Sequence, residues 1–322
     1  MLDIKKTITI LIIISLFFIV GCSNKEDKKP EKSLLKGVSL SPISYNEKDF
    51  SDFFVKAKEA GSVVMWAGDW KELEEGAAKV TVELASEYNY IPLIEATHYI
   101  QSEARLIRPF DEEAKQEYLN AALGFARKYE PPYLGFGIEV NIIYENSPED
   151  FQEFVSFYND LYDAIKEVSP STKVFTIFQL ERIKGMSFWI EEPPNKEKEE
   201  WFLLDMFKSD IVAFTTYPSI VYKNPSDIPA NYYSEIKEHA NKPIAFTEIG
   251  WHSAQSPLGW ESSEDEQALF VERFFNLTKD LNIELVIWSF LFDQETIEPF
   301  DTMGLYDRDG KAKKAWNLWL SV

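Results

Sequence analysis

The sequence is poor in cysteine, in histidine and in positive charge. A single cysteine among 322 residues excludes a disulfide framework and any zinc site built from cysteines. The chain has only three histidines and no HExxH motif, so the sequence does not favour a zinc hydrolase either. Lysine and arginine number 33 against 54 acidic residues, which gives a formal charge of −21. Nucleic acids and polyanionic substrates are therefore excluded as expected partners, because binding them normally takes a basic surface.

Aromatic residues, by contrast, are abundant and make up 15% of the chain. Hydrophobic residues account for 45% and charged residues for 27%, which fits one large folded domain better than a disordered chain or a polytopic membrane protein. In so acidic a protein, this many rings indicate either a large core or rings that face a ligand.

The first 22 residues have the pattern of a targeting segment. Lys5 and Lys6 precede an apolar stretch over residues 8–20, which is short for a membrane span and typical of a signal peptide. Small residues before Cys22 resemble the lipobox of bacterial lipoproteins, whose cysteine is acylated. We expect a signal peptide at residues 1–21 and a lipidated Cys22 that anchors the protein to a bacterial membrane outside the cytoplasm. Residues 22–33 would form a flexible tether, and a plain membrane anchor is the alternative.

From Leu34 onward, short apolar runs alternate with longer amphipathic stretches. Eight runs rich in valine, isoleucine and phenylalanine are predicted to be buried parallel strands. They cover residues 35–40, 62–66, 90–95, 133–140, 173–178, 211–216, 243–248 and 284–290. Between them the apolar residues recur at helical spacing, most clearly over residues 151–165. Eight strands alternating with helices over residues 34–322 predict an α/β protein with a single-domain (β/α)8 TIM barrel.

A doubly wound open sheet is the main alternative fold. Neither GxGxxG nor GxxxxGK[ST] follows the first strand, which weakens that alternative.

Two glutamates close two of the predicted strands, Glu139 on the fourth and Glu248 on the seventh. In a (β/α)8 barrel the chemistry lies at the carboxyl ends of the strands. Burying a carboxylate there is costly unless it has partners or a function. Two carboxyl groups roughly 5–5.5 Å apart across the barrel mouth would suit a retaining glycosidase, with one as acid/base and the other as nucleophile. Two strand-end acids in structural hydrogen bonds are the alternative.

Four segments carry a resemblance to clan A glycoside hydrolases. Residues 243–251, PIAFTEIGW, are similar to the nucleophile motif of that clan, and most similar to the family 53 endo-β-1,4-galactanases and the family 17 endo-β-1,3-glucanases. Residues 210–218, 284–290 and 304–316 resemble strand six, strand eight and the closing segment of these enzymes. The resemblance spans most of residues 34–322.

The resemblance implies a retaining, endo-acting enzyme with Glu139 as acid/base and Glu248 as nucleophile. It also implies that Tyr217 supports Glu248 and that Trp288 stacks on a sugar. The chemistry would need neither a metal ion nor a cofactor, because the carboxyl groups perform it. The expected partner is a neutral or weakly charged polysaccharide.

Two positions depart from the pattern of the clan. Ile138 precedes Glu139 where the clan usually has asparagine, and residues 63–70 contain no arginine at the end of strand two. Two interpretations therefore remain open: an active glycosidase, and a catalytically weak glycan-binding lipoprotein on the same barrel. A purely structural or adhesive surface protein is a third.

Further substrate-binding residues are predicted from their position near strand ends and, for the tryptophans, from the affinity of aromatic faces for sugar C–H groups. The predicted set is Trp66, Trp70, Glu95, His98, Asn141, Gln179, Tyr217, Trp251 and Trp288. Core packing and ordinary loop hydrogen bonding are the alternative for each. Asn141 would replace the missing asparagine only if the backbone there differs from that of the clan.

Overall fold

Parallel strands and connecting helices alternate through the part of the chain that the computed structural model describes, residues 34–190, 192–255 and 259–322. The predicted signal peptide, Cys22 and the tether lie outside these described residues. The segment Leu34–Val322 forms one unit. Among the described helices, none combines the length and the apolar composition needed to cross a membrane.

The barrel strands, numbered in chain order, form one sheet of nine segments in the described chain, two of which lie end to end and are counted together as β5. They are β1 Leu35–Ser39, β2 Val63–Asp69, β3 Ile91–Thr97, β4 Tyr133–Phe136, β5 Lys173–Phe175 with Ile177–Gln179, β6 Val212–Thr216, β7 Ile244–Ile249 and β8 Ile283–Trp288. All pairs are parallel and β1 lies between β2 and β8. The first half of β5 pairs with β4 and its second half with β6, so β5 closes the ring. The predicted (β/α)8 barrel is confirmed.

The helices that cover the barrel vary widely in length. They are α1 Glu47–Ala60, α2 Ala77–Glu83, α3 Ala85–Tyr88, α4 Glu112–Tyr129, α5 Val140–Asn146, α6 Pro148–Val168, α7 Leu180–Ile183, α8 Ile236–His239, α9 Glu264–Thr278 and α10 Lys314–Ser321. Local chemistry sets several boundaries. Pro148 occupies the first turn of α6, where its missing N–H is not needed, and the Ser263 hydroxyl accepts from Glu266 N at the start of α9.

The core has two layers because strand side chains alternate between the two faces of the sheet. Inside the barrel lies a small apolar cluster that includes Met65, Leu93, Phe175 and Leu285. Outside it, a much larger cluster joins the sheet to the helices, and Trp288 and Trp319 belong to it. Side chains at the carboxyl ends of the strands that continue the inner layer therefore point into the barrel mouth.

The bounds of the predicted strands are not identical to those observed, and β4 and β5 show two of the differences. β4 ends at Phe136, so Glu139 does not close the strand but follows it by three residues. The cause is Gly137, whose φ of 77° turns the chain, and a side chain there would collide with Phe154. β5 is predicted as one continuous strand, but it is interrupted at Thr176, which lies outside both of its halves.

Candidate active site

An open cavity of about 530 Å³ lies at the carboxyl ends of the strands, and Glu139 and Glu248 both line it. Tyr217 and Gln179 also lie on its wall, as do the aromatic rings of Trp189 and Phe290. The cavity therefore combines two carboxyl groups with apolar faces, which is the composition expected of a small-molecule or glycan site.

A tight turn presents Glu139 to the cavity. Glu139 precedes the first residue of α5 and has a φ of 53°, so it shares the left-handed backbone region with Gly137. For a residue with a side chain this conformation is strained by about 1–3 kcal/mol, and such strain concentrates at functional sites. The short α5 and the long α6 then carry the chain away from the mouth.

Burial and charge shift the proton affinity of Glu139. Burial, together with the charge of Glu248, raises the pKa of Glu139 from its ordinary 4.5 to about 7. The hydroxyl of Thr215 on β6 opposes this shift because it donates to Glu139 Oε1 at 2.6 Å. The positive charge of Arg182 opposes it too. Near neutral pH, Glu139 can therefore both release and take up a proton.

A bulge in β7 directs Glu248 into the cavity. Phe246 pairs with Phe214 of β6, and Glu248 pairs with Thr215, the next residue of β6. Thr247 therefore has no pairing partner on β6 and forms the bulge. The pairing of β7 with β8 shifts over the same residues. A bulge re-aims side chains, and here it places Glu248 beside Thr215, whose hydroxyl already reaches Glu139.

Tyr217 holds Glu248 in this position. Its phenol donates to Glu248 Oε2 and lies 2.9 Å from Ser289 Oγ, which in turn donates to the Ile249 carbonyl at 2.8 Å. Burial raises the pKa of Glu248 above its ordinary value, and the Tyr217 phenol opposes this shift without reversing it. The contact between Tyr217 and Glu248 is the one that the sequence resemblance implies.

A buried carboxylate fixes Tyr217 from behind. Glu181 is fully buried, and its Oε1 accepts from Tyr217 N at 3.1 Å, from Thr216 Oγ1 at 2.7 Å and from the Tyr232 phenol at 2.8 Å. Burial raises the pKa of Glu181, and these donors oppose the shift. Glu181 therefore anchors the loop after β6 and does not reach the cavity itself.

Several cavity residues were not predicted from the sequence. Arg182 follows β5, donates from Nε to Gln179 Oε1 at 2.8 Å and forms an ion pair with Glu145. Its guanidinium carbon lies 4.6 Å from the centre of the Phe188 ring, which also lines the cavity. Trp189 adopts a φ of 61°. No sequence motif marks these residues, because the loops after β5 bring them to the mouth.

The structure contradicts the predicted sugar contacts of four tryptophans. Trp66, Trp70, Trp251 and Trp288 are at most 5% exposed and do not line the cavity. Trp70 stacks on Tyr118 with ring centres 4.9 Å apart. Trp288 packs outside the barrel against Trp319, at 5.8 Å, because the inner face of β8 is taken by its odd-numbered residues.

Trp66 and Trp251 are also packing residues. Trp66 lies in the cluster between the barrel and the helices, behind Gly68 of the cavity wall, where its ring leaves no space for a side chain. Trp251 contacts Phe270 of α9, with ring centres 5.4 Å apart, and donates from Nε1 to Ser262 Oγ at 3.0 Å. Helix packing, not a ligand, accounts for both rings.

Three predicted polar contacts are also wrong. His98 is buried against Phe154, with ring centres 4.2 Å apart, and burial lowers its pKa to about 3. The Asn141 amide binds both the N–H and the carbonyl of Gln179, at 2.9 and 3.0 Å, so it cannot replace the missing asparagine. Glu95 is fully buried and does not line the cavity.

Solved structures that share this fold include glycosidases. A family 39 glycoside hydrolase from Bacteroides cellulosilyticus WH2 superposes with a TM-score of 0.64 at 16% identity, over 90% of this chain and 63% of that one. For xylanase 10B from Thermotoga maritima the TM-score is 0.62 at 12% identity, over 89% of this chain and 95% of that one. The β-glucuronidase from Bifidobacterium dentium gives 0.60 at 14% identity, over 89% and 46% of the two chains.

At these identities the similarity establishes the barrel fold alone. The chain spans less than two thirds of the family 39 enzyme and less than half of the glucuronidase. No model of a known protein family matches the chain, and no curated protein matches it either. The resemblance to families 53 and 17 therefore stays a prediction from sequence.

Proposed function

We propose that the protein is a retaining glycoside hydrolase that cleaves β-glycosidic bonds of a polysaccharide. One observation carries the proposal: two carboxyl groups face one open cavity at the mouth of the barrel, where burial, together with the charge of Glu248, raises the pKa of Glu139. A pair of carboxyl groups with different proton affinities is what general acid catalysis and nucleophilic attack together require. The glycosidases among the structures with this fold agree with the proposal.

The reaction would proceed in two displacements. In the first, Glu139 donates its proton to the leaving glycosidic oxygen while Glu248 attacks the anomeric carbon, which gives a glycosyl ester on Glu248. In the second, Glu139 takes a proton from water, and that water displaces the ester and restores Glu248. The phenol of Tyr217 stabilises Glu248 as an anion before attack.

A second cavity next to the first supports action within a chain. It measures about 570 Å³, and Arg182 and Phe188 line both cavities. On its wall the Phe202 ring is 52% exposed and contacts the edge of Tyr144, with ring centres 5.8 Å apart. A glycan that passes over Arg182 would place a sugar against Phe202, so we propose endo-acting hydrolysis.

The first experiment is release of reducing ends from neutral β-galactans, β-glucans, β-mannans and β-xylans. Glu248→Gln and Glu139→Gln should abolish release, whereas Glu113→Gln on the exposed face of α4 should not change it. Phe202→Ala should lower kcat/KM on the polymer about tenfold and leave a short aryl β-glycoside unaffected, since stacking on an aromatic ring contributes about 1 kcal/mol or more. Equal losses on both substrates would contradict the endo proposal.

Binding of a glycan without turnover is the second candidate function, and one observation favours it. Ile138, which stands where the clan has asparagine, lines the cavity with an apolar side chain, and its backbone carbonyl accepts from Gln101 Nε2 at 2.8 Å. If no polysaccharide is cut and one is bound, this candidate replaces the first. A surface location remains a proposal that rests on residues 1–22 alone.

A further inference from the structure

The carboxyl group of Glu95 in β3 takes no part in the proposed reaction. Glu95 is fully buried and lies in the pairing row between Ala67 of β2 and Gly135 of β4. Both neighbours are small, and a Cβ added to Gly135 would lie only 3.1 Å from Glu95 Cγ. The barrel interior thus leaves just enough room for this side chain, directly under the mouth.

Glu95 has no partner that would stabilise a charge. Within the described chain, neither of its carboxyl oxygens forms a hydrogen bond or an ion pair. The neighbouring strands face it with the uncharged Ala67 and Gly135, and the titratable groups that act on it, Glu248 and Glu139, are themselves acidic. Because an isolated buried carboxylate is very costly, this carboxyl group has to keep its proton. Burial and the charge of Glu248 accordingly raise the pKa of Glu95 well above its ordinary value.

The side chain of Thr247, the residue that forms the bulge in β7, lies close to Glu95 in space. Thr247 is buried, and its hydroxyl lies beside the Glu95 carboxyl group and acts to lower the pKa of Glu95, although the two do not meet hydrogen-bond geometry. In the described chain the Thr247 hydroxyl has no other partner either. A carboxylic acid and a hydroxyl can each donate and accept, so a small rotation would satisfy both groups. The same contact would secure the backbone that directs Glu248.

We propose that Glu95 is a positioning residue, which as an un-ionised carboxyl group supports the bulged segment Thr247–Glu248 from inside the barrel. This inference rests on the proposed function, since the segment matters for catalysis only if Glu248 is the nucleophile. An ionised Glu95 would repel Glu248 and raise the pKa of the nucleophile, whereas the acid form supports it without adding charge.

The first test is independent of turnover. In protein labelled with ¹³C at the glutamate side-chain carboxyl, the Glu95 signal, identified by its loss in Glu95→Gln, should keep the shift of a protonated acid at pH values at which exposed glutamates are ionised. Glu95→Gln should leave the titration midpoint of Glu248 unchanged, because glutamine has the shape and hydrogen-bonding groups of the protonated acid. Glu95→Met, of similar volume but apolar, should displace that midpoint by about half a pH unit or more.

The second test compares the same variants in hydrolysis. Glu95→Gln should keep kcat within about threefold of the wild type. Glu95→Met should lower kcat about tenfold or more with little change in KM, because it leaves the Thr247 hydroxyl without the group that secures the bulge. Glu284→Gln is the matched control: this buried glutamate at the opposite end of the barrel accepts from the Tyr133 phenol at 2.6 Å and pairs with Lys173. The Glu284→Gln variant should be less stable than the wild type, but the titration midpoint of Glu248 should stay unchanged.

The outcomes separate this inference from the proposed function. Titration of Glu95 in its ordinary range, or unchanged kcat and an unchanged Glu248 midpoint in Glu95→Met, would overturn the inference even if the enzyme is active. An inactive wild type in which Glu95 stays protonated and Glu95→Met displaces the Glu248 midpoint would instead retire the proposed function and leave the positioning role in place.

Discussion

Replacing Thr215 with valine should move the alkaline limb of the pH profile upward. The Thr215 hydroxyl donates to Glu139 Oε1 at 2.6 Å and so favours the ionised form of Glu139, whose pKa is about 7. A hydrogen bond to a charged group contributes about 1.5–3 kcal/mol, and one pKa unit corresponds to about 1.4 kcal/mol. Because valine has nearly the shape of threonine and cannot donate, the pKa of Glu139 should rise by about one to two units.

The assay is kcat/KM against pH on an oligosaccharide, whose poor leaving group needs the acid. In the proposed mechanism activity requires Glu139 protonated, so it should be lost as the pH rises through the pKa of Glu139, and Thr215→Val should keep activity to higher pH. Thr216→Val is the matched control, since its hydroxyl donates to Glu181 at 2.7 Å instead, and it should move the limb far less. An unmoved limb in Thr215→Val, or one that moves down, would refute the assignment of Glu139 as the acid.

Three further predictions concern stability, the nucleophile and the cavity wall. Glu139→Gln should be more stable than the wild type at pH 8 by up to about 3 kcal/mol in urea unfolding and equal to it near pH 4, because a raised folded-state pKa means that stability is lost as the pH rises from about 4.5 to about 7. Tyr217→Phe should lower kcat about ten- to a hundredfold and shift the acidic limb of kcat/KM upward, as the charged Glu248 loses its donor. Trp189→Ala should raise KM with little loss of stability, whereas Trp288→Ala should lower the free energy of unfolding by about 3–5 kcal/mol without a selective loss of glycan affinity.

The fold followed from sequence because each strand is a short apolar run between helical stretches. Every predicted strand has a counterpart in the barrel, and the boundaries fail where local backbone chemistry intervenes. Gly137 turns the chain early, so Glu139 reaches the mouth from a turn rather than from the strand. That geometry depends on how Gly137 meets Phe154 of α6, a contact between residues that the strand pattern does not relate.

The site was only partly predictable. Glu139, Glu248, Tyr217 and Gln179 line the cavity, because each lies near the carboxyl end of a strand or follows that end within three residues, and these ends converge at the mouth. The tryptophans failed for a reason that the sequence does contain: Leu285 and Ile287 face the interior, so Trp288 must face the helices. Arg182 and Trp189 could not be found this way, since the path of the loops after β5 decides where they lie. Nor does strand alternation show how deeply a side chain is buried, and Glu95 proves to be fully buried and not part of the cavity wall.

Trapping the glycosyl ester tests the central claim most directly. The inhibitor would be a 2-deoxy-2-fluoro β-glycoside of the sugar that the protein releases, and it would carry a reactive leaving group. It should inactivate the wild type, and the half-life of activity should shorten as the inhibitor concentration rises. Mass spectrometry of the digested protein should then find one added fluorosugar on the peptide that contains Glu248. A label on another residue, or continued hydrolysis with inversion and no label, would contradict the assignment of Glu248 as the nucleophile of a retaining enzyme.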